Sequence, residues 1–319
     1  MRLNPFLPGP RGLLGAELLR AGRFERGWKE YVFRPTRGTE IFAHVAQGRY
    51  PPALPADLRG RDVVLLGEQG LGDILFFLRY ARPLAEAGAR LHVRADRRLE
   101  PLARRALPIA SWLEGDEVPG GALAVWVGDL PAMVRPIAGD ICPTLRFSPL
   151  ADRVERMRAR LPGGNLPRIG VAWQAGTPRG TGPAGHNLLA KEIPLEGLAR
   201  SLARRPATYI SIQRNPSPQS RERFSGLLEL ADFSDVNDDL EDMVALISLL
   251  DDYVGVSSTN VHLMAAVGGG GRILVPHPAE WRWQLAGVQS PWFPGFTIYR
   301  QDRGGDWSGA LENLRGGTS

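Results

Sequence analysis

"VVLLGEQGLGDILFFLRYARPLAEAG", residues 63–88, joins an apolar run to a glycine-rich turn and then to a long amphipathic stretch. Val63–Leu66 shows no polar alternation, which predicts a strand covered on both faces. Asp73–Ala87 predicts the helix that returns over it. Glycines at 67, 70 and 72 mark a turn where something approaches the backbone closely. The same alternation recurs downstream, with strand Leu91–Arg94, helix Arg98–Ala106 and strand Leu123–Val127. A helix within "FSPLADRVERMRARLPGGNLP" and its Gly/Pro end then lead into a second series. There "RIGVAWQAG", "TYISIQ", "YVGVSS" and "RILVP" predict strands, and Pro194–Arg204, Asp239–Leu250 and Asn260–Val267 predict helices. Strands alternating with helices predict parallel sheets with crossover helices, the α/β class.

At 319 residues the chain exceeds what one core usually supports, so two domains are expected. Upstream of the first strand, Leu14, Leu18, Phe24, Trp28 and Tyr31 predict two short helices between Arg11 and Arg34. Residues 35–57 read as a connector. The stretch 176–190, "GTPRGTGPAGHNLLA", has no periodicity and is expected to be a mobile loop. The expected division is 1–50 as a helical remnant with its connector, 51–162 as a first α/β domain and 163–300 as a second. Residues 301–319 are expected to form a short helix and tail, with Trp307, Ala310 and Leu311 or Leu314 on one face, packing back on the N-terminal domain.

Composition is that of a globular protein, 43% hydrophobic and 23% charged. A net charge of +5 suits an anionic ligand, but no basic stripe with interleaved aromatics is present, so no nucleic acid is expected. The single cysteine, Cys142, excludes an internal disulfide framework and cysteine-rich zinc sites and fits a cytoplasmic setting. Pro5, Pro8 and Pro10 interrupt any secretory apolar core at the N-terminus. The longest uncharged stretch, 253–271, carries Ser, Thr, Asn, His and a glycine run, which makes a poor membrane span.

Four places carry candidate chemistry. Asp73 lies at the start of a helix, where it serves either as a cap or as a carboxylate able to take a proton from a hydroxyl. Lys191, one of only two lysines, precedes a helix that Pro194 helps start, a position suited to neutralising a diphosphate. Asp239, Glu241 and Asp242 crowd the first turn of one helix; the dipole accounts for some of that charge, and a spare carboxylate could accept both hydroxyls of a ribose. Ser257, Ser258, Thr259 and Asn260 form a hydroxyl-rich strand-to-helix turn that either caps the helix or binds phosphate. His262 follows inside that helix. The aromatic cluster around Pro291 and Pro294 reads mostly as packing. The glycine spacing is not that of a dinucleotide fold, no P-loop occurs, and no Asp-x-Asp is present. No metal and no cofactor are therefore expected, and phosphate charge falls to Lys191, arginines and helix N-termini.

The order "GEQGLGD", "IGVAWQAG", "KEIPL", "SIQ", "VSSTNVHLMAAVG" and "EWRWQ…SPWFPGF" resembles the glycosyltransferase domain of bacterial tetratricopeptide-repeat proteins. Such domains are related to glycosyltransferase family 9, the lipopolysaccharide heptosyltransferases. The similarity covers roughly residues 50 to 312, and residues 11–34 resemble one leftover helical repeat, which cannot bury its own face and is expected to dock on the first domain. The resemblance implies a GT-B fold: two facing Rossmann-like domains, with the site in the cleft between them and a short N-terminal helical hairpin ahead. It implies an inverting, metal-independent sugar transfer, with Gly72-Asp73 carrying the base and Lys191 on donor phosphate. Glu241 or Asp242 would hold the ribose, and Ser257, Ser258 and His262 would lie under the diphosphate. Trp173, Gln213, Thr259 and Asn260 fall on the same donor-binding segments. The family's Asp in that turn is Ser257 here, which keeps a hydroxyl and loses a charge.

The expected activity is a glycosyltransferase of hexosyl or heptosyl type. The alternative is a degenerate domain that binds a protein or glycan without chemistry; an oxidoreductase is disfavoured by the glycine spacing. The partners expected are a nucleotide sugar and a protein or glycan acceptor, with no transmembrane segment and with room for peripheral association with the inner membrane.

Overall fold

A computed structural model of the chain describes residues 8–34, 51, 53–115, 118–139, 141–176 and 191–317. Residues 177–190 of the expected mobile loop, and residues 35–50 and 52 of the connector, lie outside the described residues. The chain divides into two compact units, Met1–Leu145 and Arg146–Ser319.

The first unit opens with α1 (Pro8–Arg20) and α2 (Phe24–Tyr31). These helices approach closely at two glycines: a Cβ on Gly15 would overlap the Tyr31 backbone, and one on Gly27 would lie 2.7 Å from the Leu19 side chain. Trp28, 1% exposed, meets Tyr31, Phe77 and Tyr80 edge-on with ring centroids 5.7, 6.3 and 6.1 Å away. The hairpin thus buries its apolar face on the α/β layer that follows it, supplying the partner that a lone helical pair lacks.

That layer is a parallel sheet in the order β3-β2-β1-β4. Its strands are β1 (Asp62–Leu66), β2 (Arg90–Arg94), β3 (Ile109–Trp112) and β4 (Leu123–Trp126). Val63, Val64 and Leu65 are fully buried, as an apolar run in a covered parallel sheet should be. Gly67 faces Ala95 so closely that a Cβ would lie 2.6 Å from the Ala95 Cβ. α3 (Leu71–Leu78) begins two residues before Asp73 and is shorter than expected. A 3₁₀ turn at Arg79–Ala81 leads into the short α4 (Arg82–Glu86). Pro83 explains the break, because its ring displaces the carbonyl one turn back and it has no N–H to donate. α5 (Glu100–Ala106) precedes β3, and α6 (Leu130–Ala138) follows β4.

The second unit carries a six-stranded sheet in the order β12-β11-β10-β5-β8-β9. The strands are β5 (Arg168–Ala172), β8 (Thr208–Ser211), β9 (Ala231–Asp232), β10 (Asp252–Val256), β11 (Gly271–Val275) and β12 (Phe296–Arg300). All neighbouring pairs run parallel. A separate antiparallel ribbon joins β6 (Gln174–Ala175) to β7 (Lys191–Glu192), with Ala175 opposite Lys191. The helices are α7 (Ala151–Arg160), α8 (Leu195–Leu202), α9 (Pro218–Ser225), α10 (Leu240–Ile247), α11 (Thr259–Ala266) and α12 (Ser308–Gly316). A Cβ on Gly255 would overlap the Ala172 carbonyl oxygen on the neighbouring strand. Gly255→Ala should therefore lower stability by about 1–3 kcal/mol, through forced separation of β5 and β10, read as a lower denaturation midpoint at unchanged slope.

Two boundary expectations change. Residues 146–160 belong to the second unit, upstream of the expected start at 163. Phe147 N–H donates to the Ala266 carbonyl at 3.0 Å, and Arg153 on α7 pairs with Asp239 and Asp242 at 2.9 and 2.6 Å. The C-terminal helix, expected on the N-terminal domain, packs on α8 of its own unit. Ser201 Oγ donates to the Leu311 carbonyl at 2.8 Å, and Trp307, Ala310, Leu311 and Leu314 join a core with Leu195, Leu198 and Leu202.

Candidate functional site

In the second sheet the chain starts at β5, moves outward through β8 to β9, then returns to β10 on the other side of β5. Neighbouring strands whose connections leave in opposite directions open a crevice past their carboxyl ends, where open α/β sheets take ligands. The residues past β5 and β10 are Trp173-Gln174 and Ser257-Ser258, with Gln213 close by past β8.

Lys191 sits in this crevice. β7 carries it alongside β6, and its Nζ donates to the Ser257 carbonyl at 3.2 Å and to Glu280 Oε2 at 2.8 Å. The other Glu280 oxygen accepts from Arg282 Nη1. Burial works against the ionised form of Glu280, but the charges and hydrogen bonds of Lys191 and Arg282 outweigh it. Its carboxyl is held well below the usual carboxylate range. The cluster therefore carries two cations and one anion, a net positive charge beside the N-terminus of α11, whose cap position is Ser258. Sequence reasoning found Lys191 and Ser257 and missed Glu280 and Arg282. The signal was a charged Glu-x-Arg inside "AEWRWQ", a segment read as aromatic packing. The tryptophans do pack: Trp281 meets Trp292 edge-on at 5.2 Å, and Arg282 lies 4.3 Å over the Trp281 ring.

The remaining second-unit candidates separate into supports and surfaces. Gln213 accepts from the Trp173 and Gln174 N–H groups at 2.9 Å each and donates to the Gln174 and Arg214 carbonyls at 3.0 and 2.9 Å. Its amide has no further capacity, so its side chain ties the end of β8 to that of β5. Trp173 is 2% exposed, with its ring against Phe224 at 4.9 Å. That ring is core, not ligand surface. Asn260 donates to the Ile212 carbonyl at 2.9 Å and fixes the start of α11 to the end of β8. His262 is buried in α11 with its ring edge-on to Phe293 at 5.2 Å. Thr259 opens α11. Asp239 caps α10 by accepting from the Glu241 and Asp242 N–H groups at 2.8 and 3.4 Å. Asp242 is taken up by Arg153 at 2.6 Å and by Arg156, which hold its carboxyl low against the opposing effect of burial.

In the first unit Asp73 is the third residue of α3, and its Oδ2 accepts from the Gly70 N–H at 3.1 Å. It thus closes a capping arrangement at the head of the helix. Gly72 lies beside it in the first turn. The turn carries Gln69 at a φ of 62°, a left-handed conformation uncommon outside glycine.

No protein-family model matches the chain. Similar solved structures include a glycosyltransferase family 9 protein from Veillonella parvula DSM 2008, with TM-score 0.58 and 10% identity, covering 82% of this chain and 99% of that one. Another is the E. coli ADP-heptose lipopolysaccharide heptosyltransferase II, with TM-score 0.53 and 14% identity, covering 78% and 93%. The fold is shared with family 9 glycosyltransferases. A third is the iron-containing dodecameric glycosyltransferase TibC from enterotoxigenic E. coli H10407, with TM-score 0.50 and 16% identity, covering 79% and 65%. TibC corrects the expectation that no metal accompanies this fold: a chain of this architecture is iron-containing, and a missing Asp-x-Asp does not settle the matter. Among the described residues no group of three or more His, Cys, Asp or Glu side chains is placed to hold an ion. In sequence, the chain is 23% identical over 328 residues to Protein FlbA of Caulobacter vibrioides, covering 91% of this chain and 51% of FlbA. The chain thus spans about half the length of that curated relative. No helix among the described residues is long and apolar enough to cross a membrane.

Proposed function

We propose that the chain is a glycosyltransferase that moves a sugar from a nucleotide-sugar donor to an acceptor hydroxyl with inversion. The observation that carries this reading is the Lys191–Glu280–Arg282 cluster at the β5/β10 crevice, beside the start of α11. Two cations sharing one carboxylate, next to a helix N-terminus, form a preorganised positive locus for a diphosphate. The donor's diphosphate takes up Lys191 and the α11 N-terminus at Ser257, Ser258 and Thr259. Glu241, at the head of α10, is the ribose acceptor in this reading; Asp242 is held by Arg153 and Arg156. Asp73 takes the proton of the acceptor hydroxyl as that oxygen attacks the anomeric carbon. The bond from that carbon to the diphosphate oxygen breaks, and the nucleoside diphosphate leaves with the electron pair, its charge met by Lys191 and the helix dipole. The fold shared with an ADP-heptose transferase supports a nucleotide-linked sugar as donor; the acceptor in this reading is a protein or glycan hydroxyl.

Calorimetry with ADP-, UDP- and GDP-linked sugars tests the reading. One panel member should bind, and Lys191→Ala should weaken it by about 1.5–3 kcal/mol, roughly tenfold to more than a hundredfold. Failure of every member to bind rejects it. Binding without transfer to any acceptor would instead favour a non-catalytic glycan-binding domain, the reading that the uncharged Ser257 supports.

A further inference from the structure

The first sheet has its own crevice. From β1 the chain runs outward through β2 to β3, then returns to β4 on the opposite side of β1, so the crevice lies past Leu66 and Trp126. Here it is filled from within the chain. Arg34, just beyond α2, enters it and places Nε 2.9 Å from Glu68 Oε2, with Nη2 on the other Glu68 oxygen. Its Nη1 donates to Asp129 Oδ1 at 2.8 Å and to the Tyr31 carbonyl at 3.2 Å. The Glu68 Oε1 atom also accepts from the Gly128 N–H at 3.1 Å. The Arg34, Glu68 and Asp129 side chains are 3%, 3% and 0% exposed. A Cβ on Gly128 would lie 2.6 Å from both Arg34 Nη2 and Glu68 Oε1, so the backbone of the β4 loop is fitted around the pair.

Such a cluster is costly to bury and is weak evidence for stability by itself. One guanidinium faces two buried carboxylates. Burial works against the charged guanidinium, yet Asp129 and Glu68 hold it firmly protonated. Burial pushes the Asp129 carboxyl up to about 7, against the pull of Arg34. The cluster's location supplies what stability does not. Glu68 opens the turn Glu68-Gln69-Gly70 whose last N–H is bound by Asp73. The hairpin holds the turn at a second point, where Gln69 Nε2 reaches Tyr31 Oη at 3.5 Å. The planar fork of Arg34 fixes the plane of the Glu68 carboxylate as an ammonium could not.

We infer that Arg34 is a positioning residue: it occupies the crevice of the first sheet and, through Glu68, sets the turn that presents Asp73. The importance of this for catalysis rests on the proposed role of Asp73; the positioning itself does not. The α1–α2 hairpin is then a working part of the first unit, not a remnant.

Three variants of the full chain test this: Arg34→Ala, Arg34→Lys and Glu68→Gln. Amide hydrogen exchange at residues 67–73 should speed up more than tenfold in Arg34→Ala, with exchange in the second sheet unchanged. Transfer should fall more than tenfold in kcat, while the donor's calorimetric Kd stays within twofold. Millimolar methylguanidinium should restore both exchange protection and kcat to Arg34→Ala. Arg34→Lys should recover little, because an ammonium cannot bind both Glu68 oxygens. If Arg34→Ala does not fold, Glu68→Gln carries the test, since it keeps the shape and the bond from Gly128 while weakening the pair. Its exchange at 67–73 and its kcat should shift in the same directions. Unchanged exchange at 67–73 in a folded Arg34→Ala or Glu68→Gln variant overturns the inference. If the wild-type chain transfers no sugar, the glycosyltransferase reading fails, and the positioning role is judged by exchange and its chemical rescue alone.

Discussion

Asp73→Asn should lower sugar transfer by about 10²–10⁴-fold while leaving the fold and donor affinity intact. The observed cap and the proposed base role of this residue respond differently to substitution. As a support, Asp73 accepts the Gly70 N–H at the head of α3, and an asparagine oxygen can accept the same bond. The helix start loses one charge near its positive end, about 0.3–1 kcal/mol. As a base, asparagine has nothing to offer, because its amide takes up no proton near neutrality. A conservative substitution therefore removes the chemistry and spares the cap. Asp73→Ala removes both and should show the same transfer defect with an added loss of stability of about 0.5–2 kcal/mol. Release of nucleoside diphosphate in the presence of acceptor reads the first effect, and calorimetry with the donor reads its binding. Asp73→Asn turnover equal to wild type would remove Asp73 from the reaction and leave it as a cap.

The sequence displayed this architecture where burial was uniform and hid it where burial was mixed. Val63–Leu66 and Tyr253–Val256 are apolar runs, and covered parallel strands leave that mark. β3, "IASW", is short, with an exposed Ala110 and a half-buried Ser111, so no period distinguishes it from a loop. α6 carries Pro131 and Pro136; Pro131 suits the first turn, but Pro136 inside the stretch argues locally against the helix that tertiary packing nonetheless imposes. At the site, the single lysine near a helix start and the serine turn after a strand were legible as residue types at fixed offsets. Glu280, distant from Lys191 along the chain, was not, because an ion pair formed by folding leaves no periodic trace. Trp173 and Gln213 show the converse. Both follow strands that end at the crevice, where position along the chain suggests ligand contact. The direction of each side chain, one into the core and one onto neighbouring backbone, decides otherwise.

Glu280 is also where a large effect on stability is expected. Glu280→Ala leaves the Lys191 ammonium and the Arg282 guanidinium without their shared carboxylate; with Glu280 and Lys191 15% and 18% exposed, losing these charged hydrogen bonds costs about 1.5–3 kcal/mol. Glu280→Gln keeps the volume and removes only the charge, so it should lose less. The sign of the pH dependence follows from the depressed carboxyl. A carboxylate held low in the folded chain adds stability that is fully present above its ordinary range and fades as pH falls through its folded value. The gap in melting temperature between wild type and Glu280→Gln should therefore be widest near neutrality and close as the solution is acidified below the carboxylate range. Ligand binding should respond in the opposite sense. In the free chain Glu280 holds Lys191 and Arg282, so a diphosphate must compete with it; in Glu280→Gln that competitor is neutral. A nucleoside diphosphate should raise the melting temperature of Glu280→Gln by more than it raises that of wild type, even though the variant starts lower. If both proteins respond equally to the nucleotide, the anion is received elsewhere and this cluster is structural. If the variant melts lower and recovers more on binding, the carboxylate is a stand-in for the diphosphate, holding the two cations in place until the donor arrives.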